Sequence, residues 1–268
     1  MLPCVRPDAG DDESGARERP EGHWIVLSDL HEHTANLRHL ADELRSAALV
    51  VLSGDLTMFG GRGEAARVLA EVRALNASVL AVPGNTDHRE VLTFLEGEGV
   101  SVHGRATVHA GVAVYGIGGA NPTPFGTPFE LAEEEIAAHL ERAVGATGGV
   151  PERILVSHAP PFESGVDRLW SGRPVGSHAV RAHVEAIRPA LVLCGHIHEG
   201  RGLGRVGEVP VANPGPLVGG GYVKIRFENG HPVASVERVA LRGGERVIGE
   251  VRQAAHKLRR LPRMRAKR

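Results

Sequence analysis

The sequence predicts an α/β fold built on parallel strands, and three observations carry that expectation. Short aliphatic runs recur along the chain, each ending at a polar or glycine-containing corner. Segments with a single apolar stripe at helical spacing lie between them. One strand-helix unit takes about 25–30 residues, the spacing of βαβ construction.

The first run, Trp24-Ile25-Val26-Leu27, ends at Ser28-Asp29. The second, Ala48-Leu49-Val50-Val51-Leu52, ends at Ser53-Gly54-Asp55, and Ser78–Val82 ends at Pro83-Gly84-Asn85. Unbroken aliphatic runs of this length suit strands buried on both faces. Residues 35–46 set Leu37, Leu40 and Leu44 on one stripe, with Thr34 as the expected N-cap. Residues 64–75 do the same with Val68, Leu69, Val72 and Leu75. Val108–Ile117 instead alternates, through Val108, Ala110, Val112 and Val114, which predicts a strand with antiparallel neighbours. A loop rich in Pro and Gly, Gly118–Pro128, leads into an acidic helix at about 130–143. The first pattern then returns: Ile154-Leu155-Val156 into Ser157-His158, a helix at about 177–187, and Leu191-Val192-Leu193-Cys194 into Gly195-His196. From Val206 to Val239 strand follows strand, with Glu228-Asn229-Gly230 as a hairpin turn.

Composition narrows the function classes. The chain has 268 residues with 31 Lys+Arg, 32 Asp+Glu and 15 His, a net charge of -1 that argues for no general nucleic-acid or membrane-surface partner. Apolar residues at 42% and charged residues at 24% exclude global disorder. Only Cys4 and Cys194 are present, so no disulfide framework is expected, and a reducing compartment is the default. The acidic start lacks the apolar stretch of a signal peptide, and the aliphatic run Ala47–Leu52 is far too short to span a bilayer. A cytoplasmic protein without a membrane partner is the expectation. Residues 1–21 are read as a flexible extension, 22–240 as one domain and 241–268 as a basic tail. Within that tail, Val251–Arg268 holds eight Lys and Arg and no acid.

The chemistry sits at strand ends. Five of them deliver Asp29 and His31, Asp55, Asn85, His158, and His196 and His198. Ligands of parallel α/β sheets bind at the carboxyl ends of strands, where loops converge. The one-residue spacing in Asp29-Leu30-His31 and His196-Ile197-His198 would point each pair to one side of an extended backbone. Carboxylate, imidazole and amide donors without thiolate suit Mn, Fe, Zn, Ni or Co. Seven such donors exceed what one ion takes from protein. With Asp55 as the natural bridge, two divalent metal ions receive four donors each and keep positions open for water and substrate.

The series Asp29-x-His31, Gly54-Asp55, Gly84-Asn85, His158, Gly195-His196-x-His198 resembles the calcineurin-like metallophosphoesterase superfamily over about residues 24–228. His158-Ala159-Pro160-Pro161, Gly195-His196-Ile197-His198-Glu199 and Asn213-Pro214-Gly215-Pro216 look like its smaller single-domain phosphodiesterase branch. The resemblance implies a four-layer α/β/β/α sandwich with two mixed β-sheets flanked by helices. It also implies one ion on Asp29, His31, Asp55 and His198, and the other on Asp55, Asn85, His158 and His196. Two departures from the pattern matter. Many members carry a His after the Asn, as general acid or transition-state contact, where this chain has Thr86. Purple acid phosphatases place a metal-bound Tyr where this chain has Met58.

The function this implies is a dinuclear-metal phosphoesterase that attacks a small phosphodiester, cyclic nucleotides foremost, with a metal-bridging hydroxide. Asp29, Asp55, Asn85 and His158 would be its catalytic centre, and His88 a leaving-group acid. Asn85, His88 and His33 would meet substrate. The basic tail carries the alternative of a nuclease with an RNA or DNA partner, and a catalytically weak protein-binding scaffold is the other alternative. Single residues have plainer readings: Asp29 or Asp55 as turn or cap residues, His158 as a structural histidine. The same reading applies to His23, His39, His103, His109, His139, His183, His231 and His256, taken as solvated or hydrogen-bonded surface residues. His178, at the start of a helix, is a candidate phosphate contact. Phe125 and Phe129 are candidates for lining the cleft, with a loop packed on its own aromatics as the favoured reading, and Glu199 is a candidate partner of the ligands or an exposed acid.

Overall fold

In the computed structural model, which describes residues 22–241, strand β1 (His23–Leu27) divides its side chains between two buried layers. Trp24 and Val26 join a core shared by both sheets, whereas Ile25 and Leu27 pack among helices. The basic segment from residue 242 on, and the N-terminal segment 1–21, lie outside the described residues. A 3-10 turn (Ala35–Leu40) runs into α1 (Ala41–Ser46), followed by β2 (Leu49–Leu52), α2 (Arg62–Arg73), β3 (Val79–Ala81) and α3 (Arg89–Gly97). Next come β4 (Ala106–His109), β5 (Val112–Ile117), α4 (Glu133–Gly145), β6 (Arg153–Ser157), α5 (His178–Ile187) and β7 (Leu191–Leu193). The chain closes with β8 (Gly202–Val206), β9 (Val209–Asn213), β10 (Gly221–Glu228) and β11 (His231–Arg238).

Two mixed sheets result, ordered β11-β10-β1-β2-β3 and β4-β5-β6-β7-β9-β8. The parallel strands are β1, β2 and β3 in one and β5, β6, β7 and β9 in the other. Between the sheets lie Trp24, Val51, Val114, Val156, Leu193 and Ile225, all fully buried. The opposite face of the first sheet packs Val50 and Leu52 against Leu44 of α1, Leu69 of α2 and Leu95 of α3. That of the second packs Leu155 and Val192 against Leu140 of α4 and Val184 of α5. This is a four-layer α/β/β/α arrangement. It explains the unbroken aliphatic runs, because every central strand must be apolar on both faces. Each fully buried Leu or Ile contributes about 1.5–3 kcal/mol through removal of apolar surface from water.

Three local expectations change. Thr34 makes no side-chain cap; the backbone is already turning at His33, whose N–H donates to the Leu30 carbonyl at 2.7 Å. Val108–Ile117 is not one strand. Ala110 (φ 48°) and Gly111 (φ 78°) turn it into the β4-β5 hairpin, so β5 has one antiparallel and one parallel neighbour. Helix α3 adds an element that the apolar pattern does not signal, since its nine residues offer only Val91, Phe94 and Leu95 as buried stripe positions. The expected hairpin at Asn229-Gly230 does form, with both residues at positive φ and Glu228 opposite His231. No helix among the described residues is long and apolar enough to cross a membrane.

Candidate metal centre

The ends of β1, β2 and β3 in one sheet and of β6 and β7 in the other bring the seven donors to one edge. The pairs do not converge as extended segments. Asp29 (φ 52°), His31 (φ 46°) and His196 (φ 66°) are left-handed, and Leu30 between the first two is fully buried. N–H groups of Asp29, His31 and Glu32 donate to the carbonyls of Gly54, Asp55 and Leu56 at 2.9–3.0 Å, which lays this turn along the loop after β2. With Asp55 (φ 52°), four of the ten described non-glycine residues at positive φ belong to the seven donors. Such a conformation costs about 1 kcal/mol or more per residue, so its concentration here marks a functional constraint. Glycines make the close approaches. A Cβ on Gly54 (φ 107°) would overlap the His158 ring, and one on Gly84 would overlap the Asp55 carboxylate.

Asp55 stands between two groups of donors. Its Oδ2 lies 3.8 Å from His31 Nε2, and its Oδ1 lies 3.3 Å from His158 Nε2. On the first side, His31 Nε2 is 3.3 Å from His198 Nε2, and Asp29 Oδ1 is 3.2 Å from His198 and 3.8 Å from His31. On the second side, His158 Nε2 is 3.0 Å from Asn85 Oδ1, and the His158 and His196 ring centroids are 5.3 Å apart. Asp29, His31 and His198 form one cluster of metal-ligand spacing; Asp29, Asp55 and His158 form another.

The protonation pattern calls for cations. His158 Nδ1 lies 2.8 Å from the Ser53 carbonyl and His31 Nδ1 3.4 Å from that of Thr57. A carbonyl only accepts, so each Nδ1 carries a proton and leaves Nε2 as the ring atom that faces the carboxylates, able to exchange its proton for a cation. Burial opposes charge on Asp29, yet His198, His158 and His31 outweigh it and hold the carboxyl well below the usual range. Burial likewise opposes charge on Asp55, and His158 and His31 again prevail. Burial resists charge on His158, but Asp55 and Asp29 push it up to about 9. His196, half-buried, is pushed down to about 4 by loss of solvent and by the neighbouring His158. Two carboxylates held ionised, with imidazole Nε2 atoms facing them where a cation can take the place of the proton, form a nitrogen-oxygen donor set fitted to divalent ions.

The profile of the calcineurin-like phosphoesterase superfamily domain matches residues 23–225, the stretch that contains all seven donors. The chain belongs to the calcineurin-like phosphoesterase superfamily. Its members are metal-dependent phosphoester hydrolases, typically dinuclear. An uncharacterized protein of Methanocaldococcus jannaschii is 35% identical over 197 residues, covering 72% of this chain and 87% of the relative. The structure of TT1561 of Thermus thermophilus is similar with a TM-score of 0.64 at 19% identity, covering 82% of this chain and 99% of that one. A purple acid phosphatase from yellow lupin seeds is similar with a TM-score of 0.53 at 11% identity, over 81% of this chain and 51% of that one. These structural likenesses show the shared fold.

Around its donors this calcineurin-like phosphoesterase has a supporting set that sequence reading missed. Asp87 is fully buried and accepts from the N–H groups of Leu56, Thr57 and Gly84 and from the Thr57 hydroxyl. Thr127 accepts from Asn85 Nδ2 at 3.0 Å. Thr86, in place of the histidine, donates its hydroxyl to the Thr57 carbonyl at 2.7 Å, and its N–H reaches Asp55 Oδ1 at 2.9 Å. Its hydroxyl is thus engaged in holding the loop. Met58 is buried and Cys194 turns its thiol to the Ala212 carbonyl.

Several expected roles are relocated. The start of α5 already holds an anion: Glu133 accepts from the Ser177 hydroxyl (2.6 Å) and the His178 and Ala179 N–H groups (3.0 and 2.8 Å), while His178 stacks on Phe162. Phe129 is buried with the Arg89 guanidinium over its ring, and Phe125 is exposed. His103 is buried, contrary to a surface reading, because its Nδ1 accepts the Gly118 N–H at 2.9 Å. His88 stands exposed at the N-terminus of α3, its N–H donating to the Gly60 carbonyl; His33 and Glu199 are half-buried.

Proposed function

We propose that this phosphoesterase is a dinuclear-metal phosphodiesterase acting on small phosphodiesters, cyclic nucleotides foremost. The observation that carries the reading is the division of donors about Asp55, with one carboxylate oxygen toward each group. Asp29, His31 and His198 would hold one ion, Asn85, His158 and His196 the other, and Asp55 both. Mn, Fe, Zn, Ni and Co all suit this donor set. Two ions bound there supply a nucleophile from water at neutral pH and positive charge for the phosphoryl oxygens.

The preference for diesters rests on Thr86. Its hydroxyl is donated to a backbone carbonyl, and a threonine does not protonate a leaving alkoxide at neutral pH. Diesters with good or strained leaving groups need that help least. His88 is the exposed group beside the Asn85 loop able to give a proton, and His33 flanks the Asp29 turn; both are assigned to substrate contact. The basic segment on which a nuclease reading rests lies outside the described residues from residue 242 on.

Chelator-stripped protein should regain hydrolysis of bis-p-nitrophenyl phosphate on addition of Mn(II), with p-nitrophenyl phosphate turned over more slowly. Asp55→Ala should abolish the activity and leave the fold intact by circular dichroism. Metal-independent turnover, or wild-type behaviour of Asp55→Ala, would overturn the proposal.

A further inference from the structure

Ten aromatic side chains (Phe, Trp and Tyr) fall in the described residues, and eight of them are buried or half-buried. The two exposed ones are Phe125, at 64%, and Trp170, at 89%. Both lie on loops that leave the second sheet at the metal-donor edge, Phe125 after β5 and Trp170 after β6. Exposed aromatics at mobile chain ends would mean little, but these two loops are braced.

The Phe125 loop is pinned to the Asn85 segment at three places. The Gly119 N–H donates to the Pro83 carbonyl and the Phe129 N–H to the Asn85 carbonyl, each at 3.0 Å. Asn85 Nδ2 in turn donates to Thr127 Oγ1. Inside the loop, Glu130 Oε1 accepts from the hydroxyls of Thr123 and Thr127 and from the Thr127 N–H, at 2.6–2.8 Å. Phe125 is two residues from Thr127, a reach of at most about 7 Å along the backbone. Phe125 thus sits on a loop tied directly to a candidate metal donor, and about two thirds of it is exposed.

The Trp170 loop is equally ordered. Arg168 and Pro174 pair as a short bridge, and the Gly172 N–H closes the turn onto the Leu169 carbonyl at 2.8 Å. Asp167, fully buried, accepts N–H groups of Glu163, Gly165 and Gly176 and anchors the base of the turn. Asn121 Nδ2 donates to the Val175 carbonyl at 3.4 Å, which joins the two loops. Two exposed aromatic side chains are thus carried on braced loops at one edge, so the ordering of the loop backbone is not a cost of binding.

We propose that Phe125 and Trp170 are stacking faces for the planar heterocycle of a nucleoside, so that the preferred substrate is a nucleoside phosphoester whose phosphate lies at the metal donors. This deepens, and for its catalytic part rests on, the phosphodiesterase reading above. Stacking tolerates every base, because each has a π face, so the selection is for nucleosides over alkyl alcohols.

Two p-nitrophenyl diesters with the same leaving group test it: thymidine 5′-(p-nitrophenyl phosphate) and ethyl p-nitrophenyl phosphate. In the Mn(II)-loaded full chain, Phe125→Ala and Trp170→Ala should each lower kcat/KM for the thymidine ester at least about fivefold. The ethyl ester should stay within about twofold, and Phe125→Trp should retain the thymidine activity. An equal fall for both esters, or none for the thymidine ester in the double variant, would overturn the assignment. Calorimetric binding of AMP and of methyl phosphate supplies a readout free of turnover. The double variant should weaken AMP at least about fivefold and leave methyl phosphate unchanged. If the wild type hydrolyses neither ester, the phosphodiesterase reading fails, and the AMP titration alone decides the stacking faces: unchanged affinity in the double variant rejects them.

Discussion

Asp87 accepts both the backbone N–H (2.7 Å) and the hydroxyl (2.8 Å) of Thr57, so one buried carboxylate ties the loop after β3 to the loop after β2. Asp55 and Asn85 ride on those two loops, and Gly84 and Leu56 give Asp87 two further N–H donors. Removing the carboxylate leaves several buried donors without an acceptor, at a cost of about 1–3 kcal/mol for the first. Asp87→Ala is therefore expected to destabilise the protein in urea by a few kcal/mol. It should also weaken Mn(II) binding by about 10–100-fold, as loss of groups that orient ligands does. A calorimetric Mn(II) titration that matches wild type would contradict the positioning role.

Asp55 faces both donor groups, so its substitution should affect ion count before ion identity. Asp55→Asn keeps the volume and one oxygen but removes the charge. Elemental analysis after Mn(II) loading and desalting should fall from two ions per chain to one or fewer. Retention of two ions by the variant would show that Asp55 does not bridge.

Glu133 occupies the N-terminus of α5, which sequence alone left open for phosphate. Glu133→Ala should cost about 1 kcal/mol, the usual loss for a helix cap, and lower Tm by about 2–4 °C. Mn(II) affinity should not change, because the cap touches none of the seven donors. A loss of metal binding in this variant would join the helix start to the site.

The donors were legible because each follows an aliphatic run, and a parallel sheet sends all such corners to one edge. His196 and Asn85 could be named without knowing where anything else lies. Asp87 and Thr127 could not. Their work is done across separations of about 30 and 42 residues, on partners that leave no periodic trace. Nor did spacing disclose that Asp29 and His31 are left-handed. The one-residue gap fits an extended pair equally well, and only the bonds to the Gly54 and Asp55 carbonyls decide between them. Thr34 misled for a related reason: cap propensity was overridden by a turn that begins earlier, at Leu30.

His103 gives the fold an acid-sensitive point away from the metal donors. It packs between Phe129 and His139, and its Nδ1 serves as acceptor for the Gly118 N–H. Burial, helped by His139, Arg142 and Arg89, pushes it down to about 3 from an ordinary 6.5. Between those values the unfolded chain binds a proton that the folded protein refuses, so stability is full above about pH 6.5 and falls as pH drops toward 3. The limiting slope for one group is about 1.4 kcal/mol per pH unit. His183, pushed down to about 4 by burial and Arg153, acts in the same sense. His103→Asn keeps an acceptor for Gly118 and removes the titration. Urea unfolding of metal-free protein at pH 7.0 and 4.5 should show wild type losing about 2 kcal/mol more than the variant across that interval. Equal losses in the two proteins would mean that His103 is already protonated in the fold at pH 4.5, and that the Gly118 N–H has another acceptor.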